Sequence, residues 1–213
     1  MTQQQGASGT LYIVSAPSGA GKTSLLKVLL ENADSIGVSV SHTTRAMRPG
    51  EQNGRHYHFV DENTFRQMIT QGDFLEHARV FDHYYGTSQA AVMTLLASGQ
   101  DVILEIDWQG ARQIRERFAD AVGIFILPPS KTALRERLTG RGQDDEAIIA
   151  RRMQDAETEM SHYAEFDYVV VNDNFDTAVT DLQAVISSQR LGIKHQRVRL
   201  KGLLADLLPN LLE

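Results

Sequence analysis

Hydrophobic and polar positions along the chain predict strands that alternate with helices. Strand-like runs rich in β-branched and aromatic residues occupy residues 10–15, 38–41, 101–106, 123–127 and 167–171. A stretch without helix breakers, residues 22–30, follows the first run and predicts a helix. Because apolar strands alternate with helical patterns, the sequence predicts an α/β fold whose parallel sheet has helices on both faces.

Two segments depart from this pattern. Residues 41–98 are polar and rich in Arg, His and Tyr, with short alternating pieces such as 56–60, which favours a small antiparallel sheet in an inserted mixed α/β subdomain. Residues 131–160 contain two charged helical stretches around the glycine-containing loop 139–143, which indicates a helical lid. The expected core then comprises residues 10–40, 99–130 and 161–213, preceded by a flexible N-terminus, 1–9.

Leucines recur at helical spacing after Ile193. They are Leu200, Leu203, Leu204, Leu207, Leu208, Leu211 and Leu212. Such a stripe is typical of a buried helix face or of a surface where copies of a chain associate. We therefore treat this C-terminal helix as a candidate surface for a homo-oligomer.

Composition and charge restrict the function classes. The 213 residues are 42% hydrophobic and 23% charged, as in ordinary globular proteins, and the absence of cysteine excludes thiolate chemistry. No apolar run approaches the ~18 residues of a membrane span, so we expect a cytoplasmic protein without a membrane partner. The net charge of −6 argues against a nucleic-acid partner, so local Arg and Lys must meet any anionic ligand.

A phosphate-binding motif follows the first predicted strand. Residues 16–23 read APSGAGKT and open the first predicted helix, which is the context that a P-loop requires. The alternative, a glycine-rich turn with a surface Lys, is disfavoured by this context. Ala16 stands where the motif usually has Gly, and a positive φ there would cost about 1 kcal/mol. The candidate ATP-binding residues are Pro17, Ser18, Gly19, Ala20, Gly21, Lys22, Thr23 and Ser24.

Oxygen ligands for Mg²⁺ are available near this motif. The Thr23 hydroxyl is the candidate ligand of an ion that arrives with ATP. A P-loop site is completed by an acidic residue at the end of a second apolar strand, and Asp107 and Glu105 both satisfy that pattern. The alternative for either one is a solvated carboxylate at a strand end.

A paired-arginine segment lies in the insertion. Arg45 and Arg48 are three residues apart, and planar guanidinium groups bind phosphate bidentately. Residues 43–59, TTRAMRPGEQNGRHYHF, resemble the signature of guanylate kinases. The resemblance runs from about residue 10 to 188, includes Glu76 and residues 84–86, 105–107 and 140–142, and is strongest to the bacterial enzymes.

This resemblance implies transfer of the γ-phosphoryl group of ATP to GMP, giving ADP and GDP in purine nucleotide metabolism. By position, the GMP phosphate would be held by Arg45, Arg48, Tyr57 and Tyr85, and the guanine side by Ser41, Glu76, Thr87 or Ser88, Glu105 and Asp107. The base chemistry agrees, because guanine N1–H and N2–H donate to carboxylates.

The resemblance also assigns the lid. Arg137, Arg141 and Arg152 would close over the ATP phosphates, and together with Lys22 and Arg45 they form the expected catalytic set. Asn172 would meet the adenine side, and the alternative is an Asx turn that closes a strand. No covalent intermediate or general base is required.

Two alternatives remain open. The first is a catalytically inactive guanylate-kinase-like module that binds proteins, but such modules typically lack a working P-loop. The second is a kinase for another monophosphate such as AMP or UMP. Glu76 with Asp107 argues against AMP, whose base edge presents an N6 donor and an unprotonated N1.

Overall fold

A computed structural model describes residues 9–31, 33, 35–80, 82–140 and 146–209. In chain order its elements are β1 (Leu11–Ser15), α1 (Lys22–Glu31), β2 (Ile36–Val38), β3 (His42–Thr43), β4 (His58–Phe59), α2 (Glu62–Gln71), β5 (Phe74–Val80), β6 (His83–Ser88), α3 (Gln89–Ala97), β7 (Asp101–Glu105), α4 (Trp108–Arg117), β8 (Val122–Leu127), α5 (Lys131–Thr139), α6 (Glu146–Met160), a 3₁₀ turn (Tyr163–Glu165), β9 (Tyr168–Val171), α7 (Phe175–Leu191), α8 (Ile193–Arg199) and α9 (Lys201–Leu207).

The central sheet is parallel, with strand order β2-β7-β1-β8-β9. β1 lies in its middle, where Ile13 pairs with Leu104 on one side and with Gly123 on the other. Its side chains point alternately into two hydrophobic cores, one against α1 and α7 and the other against α3 and α4. The predicted α/β class, a parallel sheet with flanking helices, is confirmed.

A second, four-stranded sheet has the order β4-β3-β6-β5. It is mixed, because β3 pairs antiparallel with β6 but parallel with β4, so the expectation of a purely antiparallel sheet is wrong. The long connection between β3 and β4 reverses the chain and brings β4 back in the same direction.

The predicted strand 38–41 is divided between the two sheets. β2 ends at Val38, since it pairs only with the first three residues of β7. Ser41 already belongs to the environment of the second sheet, where its carbonyl accepts a hydrogen bond from His58 N at 2.9 Å. These residues therefore link the sheets instead of forming one strand.

The leucine stripe does not form one continuous helix. α8 and α9 are separated at Leu200, and Leu203 and Leu207 are 52% and 65% exposed. The stripe is therefore not a core face, and Leu211 and Leu212 lie outside the described residues. Among the described residues, none of the helices combines the length and the apolarity that a bilayer span requires.

Candidate active site

A cleft of about 280 Å³ opens where β1 and β7 end, facing the second sheet. Carboxyl ends of parallel strands are the usual place for ligands in such folds. It is lined by residues 16–19 and 21–24 of the P-loop segment, by Ser41, Tyr57, Glu76, Ala78, Val80 and Tyr85 from the second sheet and its connections, by Glu105, Ile106 and Asp107 after β7, and by Glu159 of α6.

The P-loop needs glycine at two positions. Gly19 and Gly21 have φ of 92° and 93°, a region that L side chains rarely adopt. A Cβ on Gly21 would also lie 2.4 Å from Nδ2 of Asn172. Ala16 has no positive φ, so the strain considered for it is absent. The two glycines allow successive backbone N–H groups to line a concave surface suited to phosphate.

Asn172 and Arg137 lie behind the P-loop. The buried Asn172 amide donates to the Ala20 carbonyl at 2.7 Å. Arg137 donates to the Asn172 carbonyl at 2.9 Å and to the Ala20 carbonyl at 3.4 Å. Both side chains therefore support the back of the loop, and neither is among the residues that line the cleft.

Thr23 and Glu105 form the oxygen-rich end of the cleft. The Thr23 hydroxyl donates to Oε1 of Glu105 at 2.5 Å, and Lys22 Nζ donates to the Ile106 carbonyl at 3.4 Å. Of the two acidic candidates, Glu105 is thus the one beside Thr23. A hydroxyl and a carboxylate suit Mg²⁺, which takes few protein ligands and completes its shell with phosphate oxygens and water.

Glu76 is the buried carboxylate of the opposite wall. It is 3% exposed, and its Oε1 accepts a hydrogen bond from the Thr87 hydroxyl at 2.5 Å. A Cβ at position 110 would lie 2.6 Å from its Oε2, so Gly110 leaves the space that this oxygen occupies. Asp107 is close by and caps α4, accepting from Gly110 N at 2.8 Å.

Burial dominates the protonation of this acidic wall. It raises the pKa of Glu76 to about 7, with a further upward contribution from the Asp107 charge and an opposing one from Thr87. Burial also raises the pKa of Asp107, opposed by the Gly110 N–H bond and by the Lys22 charge. Uncompensated carboxylates are costly to desolvate, so this wall is arranged to meet hydrogen-bond donors.

Arg45 is held in place by an acidic partner. Its guanidinium donates to both carboxylate oxygens of Glu51, at 2.7 and 3.1 Å, and lies 5.5 Å from the centre of the Tyr57 ring. The Glu51 hydrogen bonds raise the pKa of Arg45. Arg48 donates its backbone N–H to Glu51, while its side chain is exposed. The Tyr57 and Tyr85 rings meet edge to face at 5.9 Å, and burial raises the pKa of Tyr57 to about 12.

Helix α6 contacts Ser18 of the P-loop with two side chains. Oε2 of Glu159 accepts from Ser18 N at 3.0 Å, and Arg152 donates to the Ser18 hydroxyl at 2.7 Å. Burial raises the pKa of Glu159, opposed by the Ser18 N–H bond and the Lys22 charge.

The structure brings most of the predicted site residues to one cleft. The lining includes Pro17, Ser18, Gly19, Gly21, Lys22, Thr23, Ser24, Ser41, Tyr57, Glu76, Tyr85, Glu105 and Asp107. Ala20 and Thr87 are buried directly behind it, and Arg141 lies outside the described residues.

Sequence reasoning missed two carboxylates, Glu51 and Glu159. Glu51 is part of the signature segment and was therefore detectable as a partner for Arg45. Nothing in the local sequence around Glu159 distinguishes it from the other acidic residues of its helix.

Comparison with known proteins gives a consistent result. A family model described as guanylate kinase matches residues 8–189. The guanylate kinase of Chromohalobacter salexigens is 64% identical over 208 residues, covering 98% of this chain and 97% of that protein. The guanylate kinase of Escherichia coli K12 is 57% identical over 204 residues, covering 95% and 99%. A crystal structure of guanylate kinase from Anaplasma phagocytophilum is 32% identical with a TM-score of 0.75, covering 95% and 97%.

Proposed function

The chain belongs to the guanylate kinase family and is an ATP:GMP phosphotransferase, and on that premise we propose which of its residues carry out each part of the reaction. The main observation is that the P-loop with Lys22 faces the buried Glu76 and the half-buried Asp107 across a single cleft. The phosphate-binding loop and the acceptors for the guanine N–H groups thus lie in the same cleft.

On the ATP side, residues 17–24 hold the phosphates. The backbone N–H groups around Gly19 and Gly21 and the N-terminus of α1 attract the negative charge. Lys22 supplies a mobile positive charge that reaches the phosphate chain. Asn172 acts from behind by fixing the Ala20 carbonyl and so the shape of the loop.

Mg²⁺ is the metal that the donor set fits. Thr23, with Glu105 beside it, would hold the ion together with phosphate oxygens. When bound, it neutralises charge on the transferred phosphoryl group. The chain's own contribution is the pre-positioned hydroxyl and carboxylate.

On the GMP side, the base and the phosphate are held by different walls. Glu76 and Asp107 accept the guanine N1–H and N2–H donors, with Ser41 and Thr87 as hydroxyl partners of the base side. Arg45, Arg48, Tyr57 and Tyr85 hold the phosphate. The Glu51 pairing favours a fixed orientation of Arg45, which lowers the ordering cost of a bidentate phosphate contact.

The chemistry is positioning combined with charge neutralisation. The GMP phosphate oxygen is already a nucleophile, so no side chain has to remove a proton. Lys22, Arg45, Arg141 and Arg152 surround the transferred group in the complex with both nucleotides, and Arg137 joins them when it leaves the Ala20 and Asn172 carbonyls. Their contacts strengthen as the charge of the group redistributes. Arg152 already reaches the P-loop through the Ser18 hydroxyl.

The remaining assignments concern organisation. Residues 41–98 act as the GMP-binding subdomain and 131–160 as the lid, on a core of 10–40, 99–130 and 161–213. The exposed leucines of α9 serve self-association in a homo-oligomer. The protein works in the cytoplasm without a nucleic-acid partner.

A substrate panel tests the function directly. ADP release is measured with ATP and each of GMP, AMP, UMP and CMP. Turnover with GMP at least 100-fold above the others is expected, because a site of buried acceptors rejects a base that lacks matching donors. Preference for another monophosphate, or binding without turnover, would instead favour one of the two alternatives. The intact Lys22 and Thr23 argue against the inactive module, and Glu76 with Asp107 argues against a kinase for AMP.

A further inference from the structure

Glu159 occupies an unexpected place for a carboxylate. The P-loop is built to attract anions, and one of its N–H groups, that of Ser18, is already bonded to Oε2 of Glu159 at 3.0 Å. The donor and the acceptor are 141 residues apart, so α6 must reach the loop for the bond to exist.

The surroundings of Glu159 resemble those of a bound anion. Lys22, the P-loop cation, lies near enough to favour its charged form, while Asp107 and Asp155 oppose that form. The carboxylate also lines the same cleft as Lys22 and Thr23. The Glu159 carboxylate thus accepts an N–H bond of the loop, as a phosphate oxygen would, and lies within the electrostatic influence of Lys22.

We infer that Glu159 is a built-in competitor for the phosphate cradle, which holds α6 against the P-loop until a phosphate of ATP replaces its carboxylate. This inference rests on the proposed role of the P-loop as the ATP phosphate site. Arg152 lies on the same face of α6, two helical turns earlier, and contacts the Ser18 hydroxyl. Displacement of Glu159 therefore reorganises the helix that carries a candidate ATP-contacting arginine.

The consequence is an affinity penalty that mutation removes. ATP binds only to those molecules whose P-loop is not occupied by the Glu159 carboxylate. Its apparent dissociation constant therefore equals the intrinsic constant divided by the fraction of such molecules. A hydrogen bond to a charged group is strong enough to leave roughly one molecule in ten open. Glu159→Ala should therefore bind ATP about tenfold more tightly than the wild type.

Calorimetric titration of ATP with Mg²⁺, without GMP, tests this for four proteins. They are the wild type, Glu159→Ala, Glu159→Gln and the control Asp155→Asn, which removes the same charge one turn earlier on α6. Glu159→Gln keeps an acceptor for Ser18 but loses the charge, so an intermediate gain of about threefold is expected. Asp155→Asn should stay within about twofold of the wild type.

A second readout follows the Ser18 amide itself. Its hydrogen exchange in the ATP-free protein should accelerate in Glu159→Ala and remain unchanged in Asp155→Asn. Unchanged or weaker ATP binding in both Glu159 variants would overturn the inference, and so would a gain of equal size in Asp155→Asn. If Glu159→Ala does not fold, the Glu159→Gln titration decides alone. Failure of the wild type to bind ATP would overturn the proposed function instead.

Discussion

Neutralising Glu76 should weaken GMP binding while relieving an electrostatic cost in the empty site. Glu76→Gln keeps the size of the side chain, and the Thr87 hydroxyl can still donate to the remaining oxygen. The amide nitrogen then replaces the second carboxylate oxygen and presents donors to the donors of guanine. Because a buried mismatch of this kind costs orders of magnitude, GMP affinity should fall about 100-fold or more.

The energetic cost in the wild type follows from the pKa of Glu76. A rise from 4.5 to about 7 corresponds to about 3 kcal/mol by which folding disfavours the ionised form. Between these two pH values the folded protein binds more protons than the unfolded chain, so stability falls as pH rises and levels off above pH 7. Glu76→Gln lacks this dependence. Its stability relative to the wild type should improve by about 1–3 kcal/mol between pH 5 and pH 8.

GMP binding should show the opposite pH trend, because guanine needs the ionised carboxylate. The GMP affinity of the wild type should fall as pH drops through about 7. The GMP phosphate also titrates near this pH, but it affects both proteins alike, so the ratio of the wild-type affinity to the Glu76→Gln affinity isolates the contribution of Glu76. GMP affinity is measured by calorimetry and stability by urea unfolding, each at pH 5 and pH 8. ATP affinity and the exposed Glu116→Gln variant serve as controls. A GMP affinity within threefold of wild type, together with an unfolding difference independent of pH, would refute the reasoning.

Three further predictions concern the P-loop and its support. Lys22→Ala should reduce turnover at least 1,000-fold without changing thermal stability by more than a few degrees, as measured by coupled ADP release and calorimetry. Arg137→Ala should lower kcat more than GMP affinity, with partial rescue by Lys, and equal losses in both quantities would contradict a transition-state role. Gly21→Ala should destabilise the fold by at least 2 kcal/mol, because positive φ and the close Asn172 amide act together, whereas Gly50→Ala, with φ of 85° and nothing within 4 Å, should cost only about 1 kcal/mol in urea unfolding.

Local periodicity was sufficient for the core and insufficient for the junction between the sheets. β1, β7 and β8 are buried on both faces, which gives a strong apolar signal, whereas β9 lies at the edge of the sheet with Val169 and Val171 44% and 47% exposed. Residues 38–41 (VSVS) were also predicted as a strand, but only Val38 belongs to one, and residues 39–41 connect the two sheets. β2 pairs only as far as Ile103 although β7 continues to Glu105, because the chain after Val38 leaves toward β3 of the second sheet. Pairing partners are tertiary information that alternation does not encode.

The site shows the same division. Gly19 and Gly21 were predictable because a phosphate loop requires their backbone freedom, whereas Glu76 was assigned to the site by the family resemblance. Arg137 and Asn172 were placed on the nucleotide by resemblance, yet their side-chain bonds go to the back of the loop. A motif shows that a residue belongs to a site, but the direction of its bonds depends on the elements packed around it.

The spacing of residues along α6 predicts which of them share a face with Glu159, but not what that face contacts. Arg152, Ala156 and Glu159 follow each other at intervals of four and three residues, so helical geometry alone places them on one face of α6. The part of the protein that this face contacts is determined by the packing of other elements. α5 packs Leu134 and Leu138 against Gly19, where no side chain intervenes, and both leucines share a core cluster with Ala156. The glycine that shapes the phosphate cradle thus also admits the helix pair that delivers a carboxylate to it, and this coupling arises only when the chain is folded.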